Sequence, residues 1–524
     1  MMSAIPMPAK ATIAPRRSVA LFALLAIAMV LASYIFVIIV AAACVYVPYW
    51  ILENAEHAPG QILLLLLGGV VIAGAMLWSL IPRRDRFEPP GPLLQRSSHP
   101  RLFAELDNIA ASLNEPLPRE VYLIGQVNAF VADRGGILGF GSRRIMAIGL
   151  PLLSILTISE FRGVLAHEFA HYYSGDTKLG PFVHKTQSAM IRTFQNIGSI
   201  QELNRIAVIN LLSSGVTFVL KHYFILFVRV TNFVSRKKEY RADELACLVA
   251  GGEPFIQGLR RIHGAGMAWP AYWNTEVVPV LNQSCMPATA NGFARFLVVP
   301  EIAVQVAEGI GKEIEEGEID PFDTHPPLRD RIAAIEQLNV PAYDQNSAFA
   351  LSLLDSPEEA ELQFIIFVNP NLTKESLRRV SWDEIGPAVT IPWWKSTVTE
   401  YASLLRGITA EAVPDYTQKL PEIGSGMRDP KGTLLTREQR TQRAVQLMAS
   451  ALALALLDKE WQLEARPGEF YFHRGTEKIN IFALMDDLLA GKITKEVWAA
   501  NCTVAGISGS PLVGADTPTS ASNC

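Results

Sequence analysis

The stretch LAHEFAHYYSGD, residues 165–176, carries two histidines four positions apart and a glutamate directly after the first. On an α-helix, positions i and i+4 lie on one face about 5–6 Å apart, so His167 and His171 can converge on one Zn²⁺. Glu168 points about 100° away from His167, where it can reach a water at the metal without filling the coordination shell. The same three residues also coincide by chance, so the rest of the chain must supply a third ligand.

A second pair of residues at i and i+4, Glu239 and Asp243, lies downstream in SRKKEYRADELA, residues 235–246. Catalytic zinc takes three protein ligands and keeps a fourth position for water, and Glu239 supplies the third ligand. Asp243 can accept the other ring N–H of a ligand histidine, with His167 as the first choice. The alternative is a solvated helix face, which is the commoner fate of such charges. Together the two motifs predict one Zn²⁺ per chain.

The order HExxH and then ExxAD (Glu239, Ala242, Asp243) resembles the HtpX and CAAX-prenyl-protease family of integral-membrane zinc metallopeptidases. NAFVADRGG, from Asn128, is similar to the strand along which that family lays an extended substrate. DTHPPLRDRI, residues 323–332, resembles a signature near the end of its peptidase domain. The resemblance covers about residues 95–340 and implies peptide-bond hydrolysis, with Glu168 as general base and a substrate-binding edge at Asn128, Ala129 and Phe130.

The resemblance also implies that His325 is catalytic and donates a hydrogen bond to the developing oxyanion. The alternative for His325 is a loop histidine braced by the two prolines that follow it. Asp176 and Arg331 are two further candidates, although an arginine at a helix start more often forms a surface or packing ion pair. The remaining histidines show no ligand spacing and are predicted to be structural: His57, His99, His184, His222, His263 and His473.

Two uncharged runs, Ser18–Leu52 and Gln61–Ile81, predict a transmembrane hairpin with helices at about 20–48 and 61–81. The first run is too long for a cleaved signal peptide. Lys and Arg residues lie before the first run and after the second, and none lies between them, so the positive-inside rule predicts that both ends face the cytoplasm. The chain is then an integral membrane protein, of the inner membrane if it is bacterial, with its peptidase domain in the cytoplasm.

Residues 206–234 are also apolar, but their longest uncharged run, Ile206–Leu220, has only 15 residues. A single crossing between His171 and Glu239 would place two ligands of one metal on opposite faces of the membrane. The sequence therefore predicts that this segment does not span, while a helix resting on the membrane remains open.

The predicted fold is mainly α with a small β-sheet, a zincin-like α+β domain after the hairpin and before a mostly helical extension. The divisions are a cytoplasmic N-terminus (1–17), the hairpin (18–82), a Pro-rich linker (83–100), the peptidase domain (101–340), the extension (341–503) and a disordered tail (504–524). Within the domain, strands are predicted at about 119–124, 128–132 and 143–149, and the motif helix at 158–174.

The leading functional hypothesis is a membrane-anchored zinc endopeptidase that acts on cytoplasmic or membrane-proximal polypeptides, including damaged ones. Its partners are a polypeptide extended along an edge strand and the lipid bilayer. The net charge of −5 gives no support for nucleic-acid binding. Two alternatives remain: CAAX-type prenyl-protein processing, and a non-catalytic membrane scaffold or sensor that keeps the peptidase fold.

Overall fold

The computed structural model describes residues 17–54, 60–81, 87–136, 141–173, 179–203, 206–317, 320, 322–342, 345–427 and 435–514. The chain divides into two compact units, the first formed by 1–267 and 305–368 and the second by 268–304 and 369–524. These units divide the chain differently from the predicted boundary at residue 340. Residues 268–304 pack within the second unit, and residues 341–368 pack within the first.

The described part of the chain is mostly helical, with short strands between some of the helices. In the first half they are α1 (Arg17–Asn54), α2 (Gly60–Leu80), β1 (Leu93–Leu94), α3 (Pro100–Ser112), β2 (Glu120–Ile124), β3 (Ala129–Arg134), β4 (Arg143–Gly149), α4 (Leu150–Ile155), α5 (Ile158–Tyr173), α6 (Leu179–Leu203), α7 (Ala207–Ala250) and α8 (Gly252–Tyr272). In the second half they are α9 (Val278–Leu281), β5 (Cys285–Pro287), α10 (Thr289–Phe296), α11 (Pro300–Glu316), α12 (Leu328–Leu338), α13 (Pro357–Val368), β6 (Arg378–Val380), α14 (Ile391–Glu400), α15 (Ala402–Leu405), α16 (Leu420–Ser425), α17 (Arg437–Leu457), β7 (Gln462–Arg466), β8 (Glu469–Arg474), β9 (Glu477–Ile479), α18 (Ile481–Leu489) and α19 (Lys495–Ala505).

A four-stranded sheet in the first unit has the order β1-β2-β4-β3, with β2 and β4 parallel and the other pairs antiparallel. Strand β1 lies in the segment 83–100, which was predicted to be a Pro-rich linker, so part of that segment is a strand. It pairs with β2 because Gly91 lets the backbone approach: a Cβ at this position would lie 1.8 Å from the Leu123 carbonyl oxygen. Strand β3 forms one edge of the sheet.

Helix α5 carries the opening motif and is fixed at both its start and its buried face. The Thr157 N–H donates to the Glu160 carboxylate at 2.8 Å, and the Glu160 N–H donates to the Thr157 hydroxyl at 3.3 Å, a reciprocal capping arrangement. The Arg162 guanidinium forms a buried ion pair with Glu105 of α3. These contacts hold α5 against α3, so the orientation of the motif residues is set by the fold.

Helices α1, α2, α6 and α7 form a bundle in the first unit. Their shared apolar cluster includes Val37 and Cys44 of α1, Met76 of α2, Ile197 of α6 and Leu220 of α7. Polar side chains bridge the same helices, since Asn196 donates to the Ser79 hydroxyl at 2.8 Å, and the Ser33 and Tyr223 hydroxyls lie 3.2 Å apart. Much of the outer surface of α1 and α2 is exposed and apolar, as expected for helices that face lipid.

Helix α7 contains nearly all of the apolar segment 206–234, which was predicted not to span the membrane. It runs unbroken for 44 residues and, like α1 and α2, is long and apolar enough to cross a membrane. A single crossing between His171 and Glu239 would separate the ligands, but a pair of crossings would not. Helix α6 runs antiparallel to α7 within the bundle: Phe194 and Phe224 are in ring contact at 5.7 Å, and Gln201 donates to Ser214. Two crossings, through α6 and back through α7, would leave His171 and Glu239 on the same side.

The second unit has its own core around α17, with Trp394 and Trp498 among its most buried side chains. A three-stranded antiparallel sheet, β7-β8-β9, packs with it. Residues 504–514 were predicted to belong to a disordered tail, but they are ordered, because Ile507 and Leu512 are buried in this core. Because small polar residues surround these two apolar side chains, the composition of the segment did not predict that they are buried. Residues 515–524 lie outside the described part of the chain.

Candidate metal centre

Three side chains from α5 and α7 meet with the spacing of a single metal site. His167 Nε2 lies 3.2 Å from His171 Nε2 and 3.3 Å from Glu239 Oε2. His171 Nε2 lies 3.5 Å from Glu239 Oε1. Donor atoms at about 2.0–2.1 Å from one tetrahedral ion are separated by roughly 3.4 Å. The three residues therefore fit one small tetrahedral cation, and their two imidazoles and one carboxylate are a donor set that suits zinc.

The electrostatics of the site also favour a cation. Burial, followed by the neighbouring His167, lowers the pKa of His171 to about 4, so this ring is in the neutral form that binds metal. Burial alone would lower the pKa of His167, but the carboxylates of Asp243 and Glu239 outweigh it and raise this pKa to about 9. The two carboxylates thus stabilise a positive charge at the position where a metal ion would supply one.

Asp243 and Arg331 support the site from behind. His167 Nδ1 lies 2.9 Å from Asp243 Oδ1, which directs Nε2 toward His171 and Glu239. Arg331 of α12 donates through Nε to Asp243 Oδ2 at 2.9 Å and through Nη2 to Asp243 Oδ1 at 2.6 Å. All of these groups are buried. Arg331 is therefore neither a surface residue nor a metal ligand: it neutralises the carboxylate that orients His167.

Glu168 lies beside the three candidate ligands without joining them. Burial is the main cause that raises the pKa of its carboxyl to about 7, and a backbone N–H from Val131 acts in the opposite direction. A carboxyl group with a pKa near neutrality can both accept and return a proton, which is what a general base in hydrolysis must do.

His325 is more than half exposed and approaches the site from the loop before α12, with its Nε2 3.9 Å from Glu239 Oε2. The Asp323 carboxylate accepts the His325 backbone N–H at 2.9 Å and lies 3.4 Å from Nδ1. The Thr324 hydroxyl lies 3.2 Å from the same Nδ1. These neighbours leave Nε2 directed toward the centre.

A cavity of about 400 Å³ opens onto the site. Near the candidate ligands the cavity is lined by Asn128, Glu168 and His325, and the rest of its lining includes apolar side chains. His263 and Glu313, 2.7 Å apart, also line it. His263 was predicted to be structural. Its contact with Glu313 could not be predicted from spacing, because the two residues lie fifty positions apart on different helices.

The remaining predicted residues are placed as follows. Ala129 and Phe130 lie on β3, the edge strand, and the Ala129 N–H donates to the side chain of Asn128 at 2.9 Å. Asp176 lies outside the described residues. Tyr172, next to the motif, was not among the predicted site residues. Its hydroxyl donates to the Val131 carbonyl of β3 at 2.8 Å.

Comparison with known proteins identifies the region that holds this site. Residues 96–339 match the profile of Peptidase family M48. Protease HtpX of Pseudomonas fluorescens is 26% identical over 234 residues, which are 43% of this chain and 69% of that protein. Protease HtpX of Xylella fastidiosa is 28% identical over 226 residues, 41% of this chain and 64% of that protein. No solved structure gives a significant match.

A helical domain with a small sheet, apolar helices and a His-His-Glu centre defines a membrane-anchored metalloprotease. Residues 96–339 are HtpX-like and match peptidase family M48, which confirms the resemblance predicted from HExxH and ExxAD. The match spans about two thirds of these relatives and less than half of this chain. It does not extend past residue 339.

Proposed function

We propose that the chain is a zinc endopeptidase, anchored in a membrane, that hydrolyses peptide bonds of cytoplasmic or membrane-proximal proteins, with protein quality control as its role. The observation that carries this proposal is the separation of 3.2–3.5 Å among the donor atoms of His167, His171 and Glu239, with Glu168 beside them. A structural zinc site closes its fourth position with protein, whereas this site opens onto a cavity.

His167, His171 and Glu239 would hold the ion, and Asp243 keeps His167 in the tautomer that offers Nε2. When bound, Zn²⁺ would supply a Lewis acid that lowers the pKa of water and polarises a peptide carbonyl. Glu168 takes the proton from the attacking water and returns it to the amine that leaves. His325 donates through Nε2 to the oxygen on which negative charge develops.

The substrate enters as an extended strand beside Asn128, Ala129 and Phe130. An edge strand binds peptides mainly through backbone hydrogen bonds, so selection by sequence is weak. This suits a protease that acts on damaged chains of many kinds. The lysines and arginines that flank the α1–α2 hairpin favour a cytoplasmic position for the peptidase region.

The two alternatives receive less support. A non-catalytic scaffold does not explain why Glu168 and a complete candidate ligand set lie together in one open site. CAAX-type processing remains a narrower version of the same chemistry, and the curated relatives that match are named Protease HtpX.

The test is Glu168→Gln in the full-length protein, purified in detergent and loaded with zinc. We expect Glu168→Gln to bind one zinc per chain and to lose casein cleavage, because the amide keeps the shape of the side chain but cannot accept the proton. Glu253→Gln, at an exposed position on α8, is the matched control and should keep both properties. Casein cleavage by Glu168→Gln at the wild-type rate would refute the proposal.

A further inference from the structure

The outer edge of β3 is where the proposed substrate would pair, so its backbone groups decide how pairing occurs. The Gly149 N–H donates to the Asn128 carbonyl at 2.9 Å. Because backbone groups alternate along an antiparallel strand, Phe130 and Ala132 also face β4. The backbone N–H and carbonyl groups of Ala129, Val131 and Asp133 therefore point away from the sheet.

Both outward groups of Val131 are already held by α5. Its N–H donates to the Glu168 carboxylate, and its carbonyl accepts a hydrogen bond from the Tyr172 hydroxyl at 2.8 Å. Glu168 and Tyr172 are four residues apart and lie on one face of the helix. The N–H and the carbonyl of Val131 are thus both bound by one face of α5, next to the candidate metal ligands.

The ring of Tyr172 is itself fixed in place. The Arg144 guanidinium lies 4.1 Å from the ring centroid, and Arg144 also pairs with Glu115 at 3.2 Å. Arg144 belongs to β4, so the ring is held by the strand next to β3. Burial raises the pKa of Tyr172 well above its usual value, so the hydroxyl keeps its proton and remains a donor.

We propose that Tyr172 is a positioning residue of the peptidase: its hydroxyl sets the distance between β3 and α5, so that the Val131 N–H holds Glu168 in its working position. A second consequence concerns the substrate, which cannot pair with the outward backbone groups of Val131 because α5 already holds them. This inference rests on the proposed function, because it assigns Tyr172 a role in that hydrolysis.

The test compares Tyr172→Phe with Tyr122→Phe in the full-length, zinc-loaded protein. Tyr172→Phe keeps the ring under Arg144 and removes only the hydroxyl. Tyr122 lies on β2 of the same sheet, and its hydroxyl donates to Glu120 at 2.7 Å. Tyr122→Phe is therefore a control that also loses one phenolic hydrogen bond, but at another place in the sheet. The substrate is an internally quenched peptide whose cleavage gives kcat and KM separately.

We expect Tyr172→Phe to lower kcat by about 3- to 10-fold, the range that follows from losing one neutral hydrogen bond. KM should stay within about twofold of wild type, since that bond is not made to substrate. Zinc content should not change, and Tyr122→Phe should keep the wild-type kcat. An unchanged kcat, or a loss that is found only in KM or in zinc content, would overturn the inference, as would a fall in KM.

Hydrogen exchange provides a readout that does not depend on catalysis. Amides of residues 129–134 should exchange faster in Tyr172→Phe than in wild type or Tyr122→Phe, because β3 loses its tie to α5. Equal exchange in all three proteins would overturn the inference. If the wild-type protein binds zinc but cleaves nothing, the proposed function fails first, and the exchange result still reports whether Tyr172 holds β3.

Discussion

Arg331 and Asp243 form a buried two-point ion pair, with Nε–Oδ2 and Nη2–Oδ1 separations of 2.9 and 2.6 Å. The same carboxylate lies 2.9 Å from His167 Nδ1. The pair therefore links α12 to the metal-binding face of α5 through α7. Because Arg331 is the main charge that compensates Asp243, the two residues act as one support for His167.

Arg331→Ala should destabilise the protein by about 3–5 kcal/mol, because it leaves a buried carboxylate without its partner. It should also weaken zinc binding by about 10- to 100-fold through His167. Arg331→Lys keeps the charge but not the two-point geometry, so its effects should be smaller. Thermal unfolding and zinc titration measure the two effects. Arg329→Ala, an exposed arginine on the same helix, should change neither. Equal stability of the two alanine variants would contradict this role.

Glu239→Ala should abolish stoichiometric zinc binding, because the remaining two histidines leave the ion without its third protein ligand. Metal analysis by mass spectrometry after dialysis measures the loss. Glu244→Ala is the control, since Glu244 lies on the same helix and pairs with Arg241 instead. A Glu239→Ala protein that still holds one zinc per chain would show that another residue supplies the third ligand.

His325→Asn should keep zinc and lower kcat by about 10²–10³-fold, the usual effect of removing one donor to an oxyanion. The KM should change much less, because the hydrogen bond strengthens only as the charge develops. His222→Asn, at an exposed position on α7, serves as the control. Wild-type kcat in His325→Asn would leave His325 as a loop residue held by Asp323 and Thr324.

If α6 and α7 both cross the membrane, the turn between them lies on the side opposite the peptidase region. Single cysteines at Glu202, near the end of α6, and at Lys312, exposed on α11, should then react with a membrane-impermeant maleimide from opposite sides of sealed vesicles. The background is Cys524→Ser, because the other four cysteines are buried. Labelling of both positions from one side would show that the α6–α7 pair does not cross.

Much of the site could be predicted because it depends on local helix geometry. The i and i+4 spacing of His167 and His171, and that of Glu239 and Asp243, fixes which side chains share a helix face, whatever the tertiary fold. The start of α5 was equally local, since Thr157 and Glu160 cap it within one turn. The bounds of β2, β3 and β4 also lie within two residues of those predicted.

Other features depend on contacts between distant segments, which spacing does not encode. The tie between Tyr172 and Val131 joins residues 41 positions apart. The pair of Arg331 and Asp243 joins residues 88 positions apart. The α6–α7 hairpin was missed for another reason: α6 is amphipathic and carries Arg192, so no hydropathy argument marked it as a neighbour of α2. Its Arg192 side chain donates to the Ser79 carbonyl of α2 at 3.0 Å.

Helix α7 connects the bundle to the candidate metal centre as one uninterrupted helix. Phe227 packs in the bundle against Val30 of α1, and Glu239 follows twelve residues later on the same helix. At 1.5 Å per residue, this fixes the height of Glu239 above that layer at about 18 Å. Inserting one residue between them would also turn Glu239 by about 100°, away from the histidines. The length of α7 therefore fixes how far the candidate metal centre lies from the bundle, and in the proposed function this distance selects the part of a membrane-bound substrate that reaches the centre.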